Sequence, residues 1–497
     1  MSKIVVEKLD EVFLKIHCNL ETSLELKEHF SCKVPNYYFN PRYKAGYWDG
    51  TISFFNRKEQ TIPIGLMPML YKFAENFRYN IQADFDTSTM VNDITEEDLQ
   101  NFYKIIFKNS SYFPRDYQAT SIYKAIRRKR GIIESATASG KSLVIYTLIR
   151  FLLGSTDKPI LIIVPNIGLV NQMFNDFIDY GWDSCQNYVS VLYHGKRPDF
   201  SKNVLVSTWQ SIYKKPESFF EKYGSVIVDE THSAKSMSIQ SVLKKCVNAE
   251  YRIGMTGTLP TEKSDIFTIY GYLGPKIYQV RSKELIDKGV LSKIKIANLI
   301  LKYPKDFVER NKKRPYPEEI REINGYADRN KAIKYIVDHV SKKENILILC
   351  QRINHLGSIY DYLTENTDRK IHKIYGLTAA DERETIRGLM EKESGSILLA
   401  SFGTTSTGIN IKKLHHVIFA SSYKSKIKVL QSLGRGLRKH QSKRKLILWD
   451  IVDKMCWVKR TGNIGENFVY KHWKQRMKYY KNQGFSFINK EISLDSL

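Results

Sequence analysis

Residues 131–153 read GIIESATASGKSLVIYTLIRFLL, and this order of residue types permits few folds. Ile132 and Ile133 are apolar and β-branched, Ser135 to Gly140 are small, and Lys141 opens a run of apolar helix formers. The stretch therefore reads as strand, tight loop and helix. Small residues let backbone N–H groups close around an anion at the helix N-terminus, where the macrodipole already favours negative charge. Lys141 would then reach the β- and γ-phosphates of a nucleotide, and the Ser142 hydroxyl would hold Mg²⁺. Ser135 stands where the strict pattern asks for Gly, and a small residue still suits the turn. The competing structural reading is a capped core helix.

The surrounding pattern favours the nucleotide. From Phe113 onward, strand-like runs at 131–134, 160–164, 188–192, 204–206, 225–228 and 252–255 alternate with helix-like runs such as 168–180 and 238–247. A second series follows, with strands expected at 346–350, 370–375, 396–400, 416–420 and 445–452. Short apolar strands alternating with helices predict doubly wound parallel sheets, which bind ligands beyond the carboxyl ends of their strands. A chain of 497 residues is also too long for one core. The expected division is a small α+β nucleic-acid-binding domain over 1–90, a linking helix over 91–112, and a first α/β domain over 113–300. A charged, proline-bearing connector or insertion follows over 301–325, then a second α/β domain over 326–497 that ends in a basic aromatic helix, expected to dock by one apolar face with its Lys and Arg outward. Thr95 and Asp98 have capping-box spacing at the start of the linking helix.

Lys and Arg number 78 against 52 Asp and Glu, a net charge of +26 that is spread along the chain. Such a field suits a polyanion, because each phosphate neutralised releases condensed counterions, and it makes nucleic acid the leading partner over plain solubility charge. No basic amphipathic anchor is evident, and the apolar run 143–153 is cut by Arg150 and too short to span a bilayer, so no membrane role is expected. Six scattered cysteines without a C-x-x-C pair argue against structural zinc and a disulfide framework, and suit a reducing cytoplasm. Tyr37, Tyr38, Phe39, Tyr43, Tyr47 and Trp48 interleave with Arg42 and Lys44. They are read equally as a base-stacking surface or as the core of the small domain. His17 is expected in the core, and His415 and His416 are expected to pack at a loop and strand start.

Residues 226–232 read VIVDETH and place two carboxylates at the end of an apolar strand. Asp229 would hold Mg²⁺ directly or through water, and Glu230 would orient and deprotonate an attacking water. An ordinary N-cap is the structural alternative, which the phosphate loop upstream outweighs. Residues 431–438 read QSLGRGLR, where Arg435 and Arg438 share one helix face. A cation delivered to the γ-phosphoryl oxygens stabilises the charge of the transition state. If these arginines complete the site from across a cleft, nucleotide binding closes two domains and hydrolysis releases them. A basic surface helix is the other reading.

Taken together, residues 113–484 resemble superfamily 2 helicases and translocases of the DExH type, with motifs in the family's order. Arg115-Asp116-Tyr117-Gln118 resembles the adenine-reading motif, Ser135 to Ser142 motif I, and Pro165-Asn166 motif Ia. Val206-Ser207-Thr208-Trp209-Gln210-Ser211 resembles a strand-contacting motif, Asp229 to His232 motif II, and Thr256-Gly257-Thr258 motif III. Thr404 to Ile411 resembles motif V and Gln431 to Arg438 motif VI. The resemblance implies two tandem RecA-like domains, with ATP and Mg²⁺ as cofactors. It implies that Gln118 contacts adenine, that Ser135, Ala136, Thr137, Ala138, Ser139 and Gly140 cradle phosphates, and that Arg435 and Arg438 face the γ-phosphate. His232, Thr256, Thr258 and Gln431 would couple nucleotide to nucleic acid, and Asn166, Thr208, Thr404 and Gly408 would hold one strand's backbone. Asn410 stands where many relatives have Asp, which weakens any charged coupling role there.

Within the superfamily the chain is similar to phage repair helicases, with RecG-like and XPB-like DNA enzymes as wider kin. This implies ATP-driven remodelling of branched DNA in repair and recombination, including fork regression, Holliday-junction branch migration and R-loop unwinding, with 3′-to-5′ movement. RNA would be met in RNA–DNA hybrids, the small N-terminal domain would help hold duplex, and the protein would act as a monomer in the cytoplasm, the host's if phage-encoded. Two rivals stand beside it. One is a duplex translocase or RNA helicase without branched-DNA preference; the other is a non-enzymatic nucleic-acid-binding scaffold, which intact Lys141, Ser142, Asp229, Glu230, Arg435 and Arg438 oppose.

Overall fold

Residues Ile160–Val164 read ILIIV and are buried throughout, the mark of a strand covered on both faces. The computed structural model describes residues 3–193, 198–406, 411–422 and 440–496. The chain forms two compact units, residues 1–135 with 140–280 and residues 136–139 with 281–497.

The first unit opens with a small mixed sheet. Strands β1 (Lys3–Lys8) and β2 (Phe13–His17) pair antiparallel, burying Ile4, Val6, Leu14 and Ile16 from alternate positions. That same alternation turns His17 outward, where it meets Glu7 at 2.8 Å, so the expectation of a core histidine is corrected. The helix Leu20–His29 follows, capped by Asn19, whose side chain accepts from the Thr22 N–H. Strands β3 (Ser31–Lys33) and β4 (Thr51–Ser53) make a separate ribbon. Strands β5 (Thr61–Pro63) and β6 (Asn80–Ala83) complete the first sheet in the order β5-β2-β1-β6, packed by Leu26, Phe30, Leu70 and Phe73. Glu96–Ile106 is helical, and Thr95 and Asp98 form the expected reciprocal capping box.

The larger sheet of this unit contains β7 (Arg130–Ser135), β8 (Ile160–Val164), β9 (Val189–Leu192), β10 (Val204–Thr208), β11 (Ser225–Asp229), β12 (Tyr251–Thr256) and β13 (Lys276–Val280). Their order is β13-β7-β12-β11-β8-β10-β9, and every pairing is parallel. Alternation again assigns the faces. Ile160, Ile162 and Val164 pack with the helices Asp116–Arg128, Lys141–Ser155 and Ile167–Asp179, while Leu161 and Ile163 pack with Met237–Lys245 and Lys263–Leu273 on the other side. The sheet is doubly wound, as the sequence predicts. The small domain docks against it: Arg130 reaches Glu11 at 2.9 Å, and a Cβ at Gly65 would lie 2.0 Å from the Tyr270 carbonyl oxygen.

The second unit repeats the plan. It contains β14 (Lys293–Lys302), β15 (Ile346–Cys350), β16 (Ile371–Ile374), β17 (Ile397–Ser401), β18 (His416–Phe419) and β19 (Lys445–Lys454). A ribbon of β20 (Cys456–Val458) and β21 (Ile464–Glu466) follows, then β22 (Ser486–Ser493). The main sheet runs β16-β17-β15-β18-β19-β14-β22, again with parallel pairings.

Three features differ from the sequence reading. Residues 293–300, placed in the first α/β domain, belong to β14 inside the second sheet. The stretch read as a connector folds as the helices Lys305–Asn311 and Tyr316–Gly325, whose Phe307, Ile320 and Ile323 join the second core. The C-terminal helix Phe468–Asn482 docks through Val469, Trp473 and Tyr480, but Arg476 falls on this inward face too. Its guanidinium bonds both oxygens of buried Asp450, at 2.9 and 2.8 Å, instead of facing water. No helix among the described residues is long and apolar enough to cross a membrane.

The Gly65 contact predicts a measurable cost. Gly65→Ala should destabilise the protein by about 1–3 kcal/mol through overpacking against backbone. Gly154→Ala, in a helix with nothing within 4 Å of the added Cβ, should be neutral or stabilising by about 0.5–1 kcal/mol. Denaturant titration of the two variants checks the difference.

Candidate nucleotide and nucleic-acid site

Strands β7, β12 and β11 are neighbours and run parallel, so whatever follows each of them lies along one edge. Beyond β7, residues 136–140 turn into the helix Lys141–Ser155. Ala138 at φ 66 and Gly140 at φ 82 are left-handed, a backbone form that lets neighbouring N–H groups face one concavity. Gly140 must also be small for a second reason, since a Cβ there would lie 2.4 Å from Gln118 Nε2. That glutamine is held at both ends of its amide: its oxygen accepts the Arg115 N–H at 2.9 Å, and its nitrogen donates to the Gly140 carbonyl at 3.3 Å. The side chain that the sequence assigns to adenine therefore rests on the shoulder of the loop. Ser139 N–H donates to the Ala136 carbonyl at 3.1 Å, and Lys141 Nζ reaches back to the Ser135 carbonyl at 3.4 Å. The Ser142 hydroxyl meets the Tyr180 hydroxyl at 2.8 Å.

Strand β11 delivers Asp229 at its carboxyl end. Glu230 follows in a left-handed conformation, φ 53, a form that costs a non-glycine residue about 1–3 kcal/mol and clusters at functional sites. Its N–H donates to Asp229 Oδ1 at 2.9 Å. Withdrawal from water first, and the adjacent Glu230 charge second, raise the Asp229 carboxyl from 3.8 to about 6, while the Lys141 ammonium pulls the other way. That coupling places the lysine and the carboxylate in one electrostatic neighbourhood.

A line of contacts leads onward from the acid pair. His232 Nδ1 lies 3.3 Å from Glu230 Oε2 and 3.1 Å from Thr256 Oγ1, and the Thr256 hydroxyl reaches the Thr258 carbonyl at 3.1 Å. Thr256 ends β12, the strand between the phosphate loop's strand and the acid pair's strand. Glu134, at the end of β7, accepts the Leu259 N–H at 3.2 Å and holds Lys276 at 3.0 Å. It fastens the loop after β12 to the base of the phosphate loop. The sequence reading passed over Glu134 although a carboxylate inside an otherwise apolar strand was a usable signal. Tyr180 gave none, because only folding brings its helix end to Ser142.

Strands β8 and β10 continue the same edge. Asn166 follows β8 and caps the next helix, accepting the Leu169 N–H at 3.0 Å. Thr208 ends β10, with its hydroxyl 2.9 Å from Ser211 Oγ. Thr404 belongs to the second unit, just past β17, where its N–H donates to Ser401 Oγ at 3.2 Å. Gly408, Gln431, Arg435 and Arg438 lie outside the described residues. In the small domain Phe39 and Tyr47 are 67% and 83% exposed, and Tyr38 is exposed too, so these rings are not its core. His415 and His416 are buried; His416 opens β18 and meets Glu344 at 3.0 Å, the packing role expected of it.

Among the described residues no cluster of three or more His, Cys, Asp or Glu side chains could hold a metal. The hydroxyl of Ser142 and the carboxylate of Asp229 are nevertheless hard oxygen donors. Few protein ligands of this kind suit Mg²⁺, which keeps waters and takes phosphate oxygens as further ligands.

Comparison with known proteins bears on the whole chain. Residues 3–84 match the family described as DNA helicase UvsW, N-terminal. Residues 111–261 match the family Type III restriction enzyme, res subunit, and residues 328–440 the Helicase conserved C-terminal domain. The chain is 32% identical over 496 residues to the ATP-dependent DNA helicase uvsW of Enterobacteria phage T4, covering 97% of this chain and 98% of that protein. It is 26% identical over 369 residues to the DNA 3'-5' translocase XPB2 of Sulfurisphaera tokodaii, covering 67% and 80% respectively. The crystal structure of T4 UvsW aligns with a TM-score of 0.52 at 30% identity, over 99% of this chain and 100% of that one.

The raised Asp229 carboxyl has a directional consequence for metal binding. A divalent ion needs the carboxylate, so a proton held up to about 6 competes with it at higher pH than at an ordinary aspartate of 3.8. Mg²⁺-dependent binding of a fluorescent ATP analogue should weaken as pH falls through that value. Glu230→Gln removes the second cause of the shift and should move the midpoint downward. Titration from about pH 8 to about pH 5 checks both, and an unshifted midpoint in the variant contradicts the account.

Proposed function

Because the chain belongs to the UvsW family of ATP-dependent DNA helicases, we propose that it remodels branched DNA, with Lys141, Ser142, Asp229 and Glu230 as the centre of its ATP site. The observation that carries this reading is the line of contacts from Glu230 through His232 to Thr256 and Thr258. It joins the residues assigned to the water and the γ-phosphate with a loop on the edge that also bears Asn166 and Thr208.

Residues 135–140 cradle the phosphates, Lys141 binds their β- and γ-oxygens, and Gln118 recognises adenine from the loop's shoulder. Ser142 and Asp229 hold Mg²⁺, which when bound neutralises charge on the phosphate oxygens. Ser142 would keep a lone pair for the metal while its O–H donates to Tyr180. Glu230 orients the attacking water and accepts its proton, with His232 beside its carboxylate at 3.3 Å. His232, Thr256, Thr258 and Gln431 transmit the state of the nucleotide, while Arg435 and Arg438 supply cationic charge to the γ-phosphate. Asn166, Thr208, Thr404 and Gly408 grip one DNA strand by its backbone, and the exposed aromatic-basic surface of the small domain adds contacts to duplex or branched DNA. The protein works as a monomer in the cytoplasm, and meets RNA within RNA–DNA hybrids.

Lys141→Ala should abolish DNA-stimulated ATP hydrolysis while leaving most DNA binding, since the remaining cations are unchanged. Hydrolysis at the unaltered rate contradicts the site assignment. Comparing stimulation and unwinding with single strands, duplex, forks, four-way junctions and RNA at one fixed salt concentration tests the substrate. Equal activity on unbranched duplex would favour a plain translocase.

A further inference from the structure

A trough of about 1260 Å³ opens at the amino edge of the second sheet. It lies where β14 and β19 begin, one strand length from the carboxyl edge that leads to Thr404, or about 17–33 Å for strands of this length. Lys293, Arg387, Lys412, Lys443, Arg444 and Lys445 line it, with Glu391 as the one carboxylate among the described residues. That carboxylate is already engaged, accepting the backbone N–H groups of Lys412 and Lys413. Arg387 is held by Glu384 on its own helix at 2.9 Å. Lys293, Lys412, Arg444 and Lys445 are exposed.

Two features show cationic charge concentrated here at a cost. Lys293 and Lys445 stand directly opposite each other in the β14–β19 register, a like-charge pairing that weakens a sheet. Lys443 is only 7% exposed, and burial pushes its ammonium down to about 8 while Nζ bonds the Lys412 carbonyl at 3.3 Å. A phosphate in the trough would relieve both.

The lining also discriminates between polyanions. Ile286 and Leu291 are its only large aliphatic side chains among the described residues, and Leu291 is itself buried, which offers little to the side chains of an acidic peptide. Among the described residues it contains no Phe, Tyr or Trp on which unpaired bases would stack, as single-strand sites provide. Cations without apolar pockets or stacking platforms fit a backbone whose bases are turned inward. We infer that this trough is a second phosphate-backbone site, holding a duplex arm of the DNA at the edge of the second lobe remote from Thr404. The inference rests on the branched-DNA reading, because only a substrate with more than one arm needs such a second grip.

The test uses the full chain carrying Lys293→Gln, Lys412→Gln and Arg444→Gln, all at exposed positions. Duplex affinity should fall about tenfold or more, and the slope of log affinity against log salt should shrink by about 2 to 3, while ATP hydrolysis at saturating single-stranded DNA is retained. Unchanged duplex affinity and slope would overturn the inference. So would loss of binding to a polyglutamate peptide with duplex binding intact. If the triple variant does not fold, lysine acylation of the wild-type protein decides: a blunt duplex should protect Lys293 and Lys412, and equal labelling with and without duplex overturns it. A wild type that hydrolyses no ATP with any DNA would defeat the motor reading alone, because the duplex salt titration still judges the trough.

Discussion

Two carboxylates on consecutive residues, drawn together at the end of β11, set the terms for the first lobe. Asp229 loses water and gains the Glu230 charge beside it, and both effects oppose ionisation. The backbone adds strain of its own through the left-handed Glu230. Such an arrangement persists only if the surrounding structure over-determines it, and the surroundings are suited to that. Strands β7, β8 and β12 are buried at every position, β11 at every position but its terminal Asp229, and the Lys141 charge opposes the shift. A dication held by Ser142 and Asp229 would add to the compensation that Lys141 and His232 already supply. The burial and the neighbouring Glu230 charge that oppose ionisation of Asp229 are the same features that favour a cation beside it.

Much of this was legible in the chain because buried parallel strands leave a one-dimensional trace. The expected strand at 160–164 matches β8, and 346–350 matches β15, since each is an unbroken apolar run, the first bounded by Pro159 and Pro165 and the second by Asn345 and Gln351. Edge strands leave no such trace. β22 reads SFINKEIS and is mostly exposed, so nothing in its composition separates it from a polar tail, and only pairing with β14 makes it a strand. β14 itself is apolar enough, but its place in the second sheet depends on a non-local pairing with β19 across some 150 residues of chain, which periodicity does not encode. The site follows the same rule. Residues contiguous in sequence, from Ser135 to Ser142 and from Asp229 to His232, were found by type and spacing. Tyr180 entered only through a contact made by folding, whereas Glu134 left a trace as a carboxylate beside Ile132 and Ile133 that the sequence reading passed over.

The second lobe uses buried charge differently. Arg329 bonds Asp453 at 2.7 and 3.0 Å, and its remaining donors reach the Ala420 carbonyl at 2.6 Å and His355 Nε2 at 3.3 Å. Burial first, and the adjacent guanidinium second, hold His355 down at about 3, so it stays neutral and can accept from Arg329. Its other nitrogen faces Ser421 Oγ at 3.1 Å, while Arg476, paired to Asp450, donates to Ser422 Oγ at 2.7 Å.

Buried ion pairs of this kind are poor stabilisers compared with apolar packing, because desolvation consumes most of the Coulombic gain. Position is what they supply here. Ala420, Ser421 and Ser422 are fixed in turn by two separate guanidinium–carboxylate pairs, one from the helix Asp328–His339 and one from the C-terminal helix. These three residues stand in sequence immediately before the stretch that carries Gln431, Arg435 and Arg438. A segment assigned to deliver cations to a γ-phosphate needs a stationary origin, and a network whose every member is hydrogen-bonded is stiffer than an apolar contact of the same size. Arg476 shares the inward helix face of Val469, Trp473 and Tyr480, and its pairing with Asp450 lets a guanidinium occupy a position that its charge alone would have assigned to water.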